Sequence, residues 1–155
     1  MAIPFTLHIL AALIWVGGMF FALLILRPSA QSLDLPSRVG LWSQVLSRFI
    51  PMVWLAVIIQ LVTGYWMIFL MFGFGEVATV TLHIRIMEIL GWIMITLFLI
   101  FYFKAFLPMK QRMGELLIPE AGLYIERGRK IMQINLVLGI VVISVVAGGR
   151  YWYQW

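Results

Sequence analysis

Four apolar stretches, residues 3–26, 49–75, 77–103 and 131–149, run through this chain and leave little freedom in how it folds. Each is long enough to cross a bilayer, whose hydrocarbon core of about 30 Å takes roughly 20 helical residues. A backbone in hydrocarbon has to bond to itself, so only helices and closed barrels span a membrane, and the ten-residue alternation of a barrel strand is absent here. The expected fold is therefore all-α, an integral membrane four-helix bundle forming one transmembrane domain over residues 1–155. Composition agrees: 64% of the residues are hydrophobic and 11% charged, too few charges to coat a soluble globule. With no cysteine, disulfides, thiolate metal sites and a Cys nucleophile are excluded, and any metal chemistry rests on His, Met, carboxylate or backbone oxygen.

The basic residues supply the topology. Of 11 Lys and Arg, the connections 27–48 and 104–130 hold Arg27, Arg38, Arg48, Lys104, Lys110, Arg112, Arg127, Arg129 and Lys130. The positive-inside rule puts both connections in the cytoplasm and both termini on the outer, periplasmic side of a bacterial-type inner (plasma) membrane. A tight outer turn is expected at 72–76 and an interfacial aromatic belt at 151–155. The net charge of +5 thus reports orientation, and without a basic stretch interleaved with aromatics nucleic acid is not a partner. The first stretch lacks the basic start and small-residue cleavage site of a signal peptide and is expected to be a mature helix. Around Pro36, residues Leu35, Val39, Trp42, Val45, Leu46 and Phe49 recur at helical spacing, which predicts a short amphipathic surface helix leading into the second span. The connection 104–130 is broken by Pro108, Gly114 and Pro119.

Chemistry has few places to occur. Arg85, Arg150 and the two histidines, His8 and His83, lie outside those connections, all on the outer side. Counted from the starts of their helices, both imidazoles lie roughly 8 to 9 Å below the outer surface. An ionisable side chain in lipid costs about 3 kcal/mol and normally faces the bundle, where it marks a site. Two histidines at one level on separate helices can hold one metal ion between them. Helical spacing puts Ala12, Trp15 and Met19 below His8, and Met87, Leu90 and Met94 below His83, while Gly17, Gly18, Gly64 and Gly139 leave space for a flat ligand. Two imidazoles, an apolar slot and two cations fit one b-type haem, with His8 and His83 as axial ligands, Arg85 and Arg150 for the propionates, and Trp15 and Met87 beside it. Plain structural roles stand next to each of these. A membrane His can be a hydrogen-bonded core residue, glycines let helices approach, methionines fill gaps, Arg85 can pair with Glu88, and Arg150 can snorkel to the interface. Gln60, Thr63, Gln133 and Asn135 read as interhelical hydrogen bonders.

The run His8-Ile9-Leu10-Ala11-Ala12-Leu13-Ile14-Trp15-Val16-Gly17-Gly18 resembles the first helix of the CopD-type copper-resistance membrane domain and of the related HemJ-type protoporphyrinogen oxidases. In both, a His is followed seven residues later by a Trp and then by glycine, as here. His83-Ile84-Arg85 is similar to the His-x-Lys of HemJ proteins, with Arg85 where the family has lysine, and the likeness covers most of the chain in order. The resemblance implies His8 and His83 as ligands and Arg85 as the basic partner. On the HemJ side it implies haem b and conversion of protoporphyrinogen to protoporphyrin; on the CopD side it implies copper passage through the inner membrane.

Three readings follow. The leading one is an inner-membrane b-type haem protein with bis-His ligation near the outer face, serving electron transfer or a HemJ-like oxidation as a haem-dependent oxidoreductase, with a quinone or a redox protein as partner. The alternative is copper transport or binding through a His/Met ladder of His8, Met19, His83, Met87 and Met94, where four helices per chain would call for a homo-oligomer. The third is a cofactor-free assembly subunit.

Overall fold

The computed structural model describes residues 1–72 and 82–149; the expected outer turn, the first residues of the third span, Arg150 and the aromatic tail lie outside them. Among the described residues all regular structure is helical. Helix α1 (Ala2–Phe21) continues through a π-helical segment Ala22–Leu26 and Arg27–Ser29 into a 3-10 turn, Ala30–Ser32. Helix α2 spans Leu35–Phe72. Helix α3 (Leu82–Phe101) passes through a second π-helical segment, Tyr102–Phe106, into Leu107–Gly114, and α4 spans Ile118–Gly149. The four apolar helical stretches are 31, 37, 33 and 31 residues long, so each reaches about 45 Å or more and runs well past the hydrocarbon. The chain is thus a multi-pass membrane protein. It corrects the expected boundaries in one respect: the basic connections are themselves mostly helical. The surface helix expected before residue 49 is not separate but the first part of α2, continuous across Pro51.

Proline explains the two π-helical segments. Pro28 and Pro108 each stand two residues beyond the end of one. A proline ring has no N–H and clashes with the carbonyl four residues earlier, and widening the preceding turn relieves that clash without ending the helix. Pro4 and Pro119 sit in the first turns of α1 and α4, where N–H groups have no helical acceptor. At the start of α2, the Ser37 N–H donates to the Asp34 carboxylate at 3.4 Å, and hydrogen bonds from the Ser37 side chain and then its backbone lower the pKa of Asp34. The connection before α4 turns at Leu116, whose φ of 60° is the left-handed conformation that glycine normally supplies. The helix ahead of it closes with the Leu117 N–H donating to the Arg112 carbonyl at 2.9 Å.

The bundle is two helical hairpins, α1 with α2 and α3 with α4, joined mainly through α4, which also touches α1 and α2. The backbones of α2 and α3 stay further apart and meet through large side chains. Trp54 of α2 packs edge-on against Phe98 and Tyr102 of α3, with ring centroids 5.1 and 5.7 Å apart, and Trp15 of α1 meets Phe98 from the other side. This aromatic column joins Met19, Val53, Met94 and Leu136 in the buried core. The outward faces carry exposed leucine, isoleucine and phenylalanine along every span, as a surface solvated by lipid requires. Glycine sets the closest approaches. A Cβ on Gly139 would come within 2.7 Å of Val16 on α1, and one on Gly128 within 2.7 Å of the Phe101 ring and 2.9 Å of the Ala105 Cβ. Gly18 serves the same end, since a Cβ there would overlap the Phe49 ring, whereas Gly17 faces only Leu13 of its own helix.

Gly128→Ala is therefore expected to lower stability by about 1–3 kcal/mol through overpacking. Gly40→Ala, where a Cβ meets nothing within 4 Å, should raise it by up to about 1 kcal/mol through helix propensity. Thermal unfolding of the detergent-solubilised protein measures both; a common sign for the two would refute the packing argument.

Candidate functional site

In the half of the bundle that holds His8, a cavity of about 340 Å³ opens between α1, α2, α3 and α4. Its walls are mostly apolar, and Gly64, Gly91 and Gly139 lie along them. Of the residues singled out from the sequence, His8, Trp15 and Met87 line this cavity, together with Met94. His83 and Arg85 are not among its lining residues, although His83 stands one helical turn before Met87 on the same face of α3. The matched depth of the two imidazoles depends on residues 77–81, which lie outside the described residues, as does Arg150. Met19 lines a narrower apolar cleft instead, and Trp15 lies on the boundary between cleft and cavity.

His8 is held by α2. Its Nδ1 lies 2.9 Å from the Thr63 hydroxyl, and its ring rests against Gly64, where a Cβ would come within 3.3 Å of Cε1. Thr63 has one hydroxyl proton, and its oxygen stands 2.6 Å from the Ile59 carbonyl, one turn earlier on the same helix. The carbonyl can only accept, so Thr63 donates there and its oxygen accepts from His8 Nδ1–H. The neutral imidazole is thereby fixed in the Nδ1–H tautomer, which leaves the lone pair on Nε2 as a metal ligand or proton acceptor. Ligand histidines are commonly prepared in this way, with one ring nitrogen anchored so that the other is presented. Thr63, read from the sequence as an interhelical hydrogen bonder, thus acts directly on His8.

A second polar group joins α2 to α3 on the cavity wall. Tyr65 donates its hydroxyl to Glu88 at 3.0 Å and accepts from the Trp92 indole N–H at 3.1 Å, while Arg85 pairs with Glu88 at 3.5 Å. Tyr65, Glu88 and Trp92 all line the cavity. Arg85 therefore takes the structural role open to it, neutralising a carboxylate inside the span. Tyr65 and Trp92 were not singled out from the sequence, although an aromatic ring with a polar tip in an apolar helix is the type of residue that forms such a link. Asn135, expected to bond between helices, is buried beside the apolar cleft with its Oδ1 meeting no donor among the described residues.

The polar or sulfur-bearing side chains that line the cavity are few: the His8 imidazole, the Met87 and Met94 thioethers, the Gln60 amide and the linked Tyr65, Glu88 and Trp92. Among the described residues no three His or carboxylate side chains converge, and His8 shares the cavity wall with the thioethers of Met87 and Met94. The volume lies near the lower end of the range for small-molecule pockets.

Thr63→Val removes the acceptor of His8 Nδ1–H and should release the tautomer. Nitrogen-15 NMR of histidine-labelled protein is expected to show His8 as Nδ1–H in the parent and shifted toward Nε2–H in the variant, the form ordinarily preferred by an unconstrained imidazole. An unchanged spectrum would refute the assignment. No protein-family model, characterised protein or solved structure matches the chain, so the meaning of the cavity rests on its own residues.

Proposed function

We propose that the chain is an inner-membrane protein that holds one b-type haem in the cavity beside His8, near the outer face, and serves electron transfer or a HemJ-like oxidation. The observation that carries this reading is His8 itself, an imidazole inside a membrane span, locked by Thr63 with Nε2 as its lone-pair atom and lining an apolar, glycine-walled cavity. The second ligand on this reading is His83, one turn before the lining Met87. The residues present suit the group in their apolar walls and in one prepared imidazole. A haem held by His8 and His83 would supply outer-sphere one-electron transfer rather than binding of small molecules. Thr63 fixes the azimuth of His8, and Arg85 with Tyr65 keeps Glu88 satisfied, so that no uncompensated charge faces the site. The orientation belongs to the same proposal: both termini outside, with the basic helix ends in the cytoplasm.

A copper reading is favoured by one specific feature, since His8, Met87 and Met94 line one cavity and form a donor set suited to Cu(I). Oxidised and dithionite-reduced spectra of the purified protein, taken with metal analysis, separate the two. The haem reading expects a Soret band that His8→Ala and His83→Ala each abolish or shift and that Met87→Leu leaves in place. A band unmoved in His83→Ala but altered in Met87→Leu would replace His83 by Met87 as ligand, and haem-free protein carrying copper would overturn the proposal. Reporter fusions at the two termini should both report the outer side.

A further inference from the structure

The opposite end of the bundle contains a larger cavity, of about 490 Å³, with a different chemistry. Three guanidiniums line it, Arg27 at the end of the first span, Arg38 in the first turns of α2 and Arg129 in α4, against the single carboxylate of Glu126. Glu126 is shared: Arg129 approaches it at 3.1 Å and Arg27 at 3.9 Å. Arg38 takes part in none of the ion pairs among the described residues; its backbone N–H donates to the Asp34 carbonyl one turn earlier, and its guanidinium meets the Asp34 charge only through space. The cavity therefore carries positive charge in excess of its own acid, and the Arg27 and Arg129 side chains are 30% and 29% exposed. The remaining wall is apolar, built from Leu23, Trp42, Phe101 and Met132 among others. Three partly buried guanidiniums that share one carboxylate beside such a wall are stabilised when an anion joins them, and the planar fork of arginine suits phosphate oxygens.

We infer that this cavity binds the head of an anionic phospholipid, its phosphodiester held by Arg38 with Arg129 and Arg27, and the start of its acyl region lying on Trp42, Leu23 and Phe101. The lipid is favoured over free phosphate for two reasons. An inorganic ion would leave the apolar wall uncovered. The helices are longer than the hydrocarbon is thick, so on the orientation proposed above this basic end lies at the level of the headgroups; basic pockets between membrane helices bind such heads. The inference is independent of what occupies the His8 cavity.

The test uses the full chain, delipidated in a nonionic detergent and followed by native mass spectrometry. The probes are dioctanoyl-phosphatidylglycerol, dioctanoyl-phosphatidylcholine and inorganic phosphate. Phosphatidylglycerol is expected to bind at least tenfold more tightly than phosphatidylcholine, and inorganic phosphate to compete only at large excess. Arg38→Gln and Arg129→Gln should each weaken phosphatidylglycerol binding by about tenfold, Arg38→Lys by less, and Arg48→Gln or Lys110→Gln, outside the cavity, not at all. If Arg129→Gln disturbs folding, Arg38→Gln, whose guanidinium is in none of those ion pairs, carries the test alone. Equal binding of the two lipids, or equal loss in Arg48→Gln and Arg38→Gln, would overturn the inference. Displacement of the lipid by equimolar phosphate would overturn it too, by assigning the cavity to a free anion.

Discussion

A polar side chain surrounded by hydrocarbon has to find its partner on the same helix or on a neighbouring one, and this chain has so few of them that each such bond fixes a piece of the architecture. Thr63 spans both cases, donating to Ile59 of its own helix and accepting from His8 across to α1. That bond joins the first hairpin at the level of the cavity. Glu88 does the same between hairpins: it draws in Tyr65 from α2 and Arg85 from its own helix, and so links two spans whose backbones keep apart. Between these polar ties, packing depends on glycine meeting bulk, as at Gly139 against Val16 and Gly128 against Phe101.

The gap between α2 and α3 is what makes room for a site. Where Trp54 and Phe98 fill it, the bundle is closed; where Tyr65 and Trp92 reach across by hydrogen bonds, it stays open as the cavity beside His8. The two cavities are chemically opposite, one lined by an imidazole and thioethers, the other by guanidiniums. They are separated by Trp15, Met19, Phe98 and Met132 around a cleft of only about 20 Å³, roughly the room of one water molecule. A hydrated or ligated cation would have to strip its shell against apolar side chains to pass. The packing of this middle layer keeps the two cavities apart.

Much of this was legible in the residues. Four apolar stretches dictated helices because no other single-chain segment can satisfy its backbone in lipid, and Arg27, Arg38 and Arg129 marked the basic end that the folded chain gathers into one cavity. Thr63 was recognisable as a hydrogen bonder. Its effect on His8 was not, because which ring nitrogen is engaged depends on the rotation of α1 against α2. Pro108 read as a break; in the fold the turn preceding it, like the one preceding Pro28, widens into a π-helical segment and the helix continues, packed against α4. Pro51, too, sits inside α2 without dividing it.

The sequence by itself determined the class of the protein: hydrophobic length set the number of spans, and the scarcity of ionisable residues narrowed the chemistry to a handful of side chains. Azimuth and register escaped it, because helical periodicity says which residues share a face but not which neighbour that face meets. Only the tertiary structure decided that His8, Met87 and Met94 line one cavity while Met19 belongs to another, and that Arg85 turns to Glu88. It also brought three arginines from three separate segments to one cavity, two of them paired with Glu126, an arrangement that depends on how the helix ends converge and that no local pattern in the chain encodes.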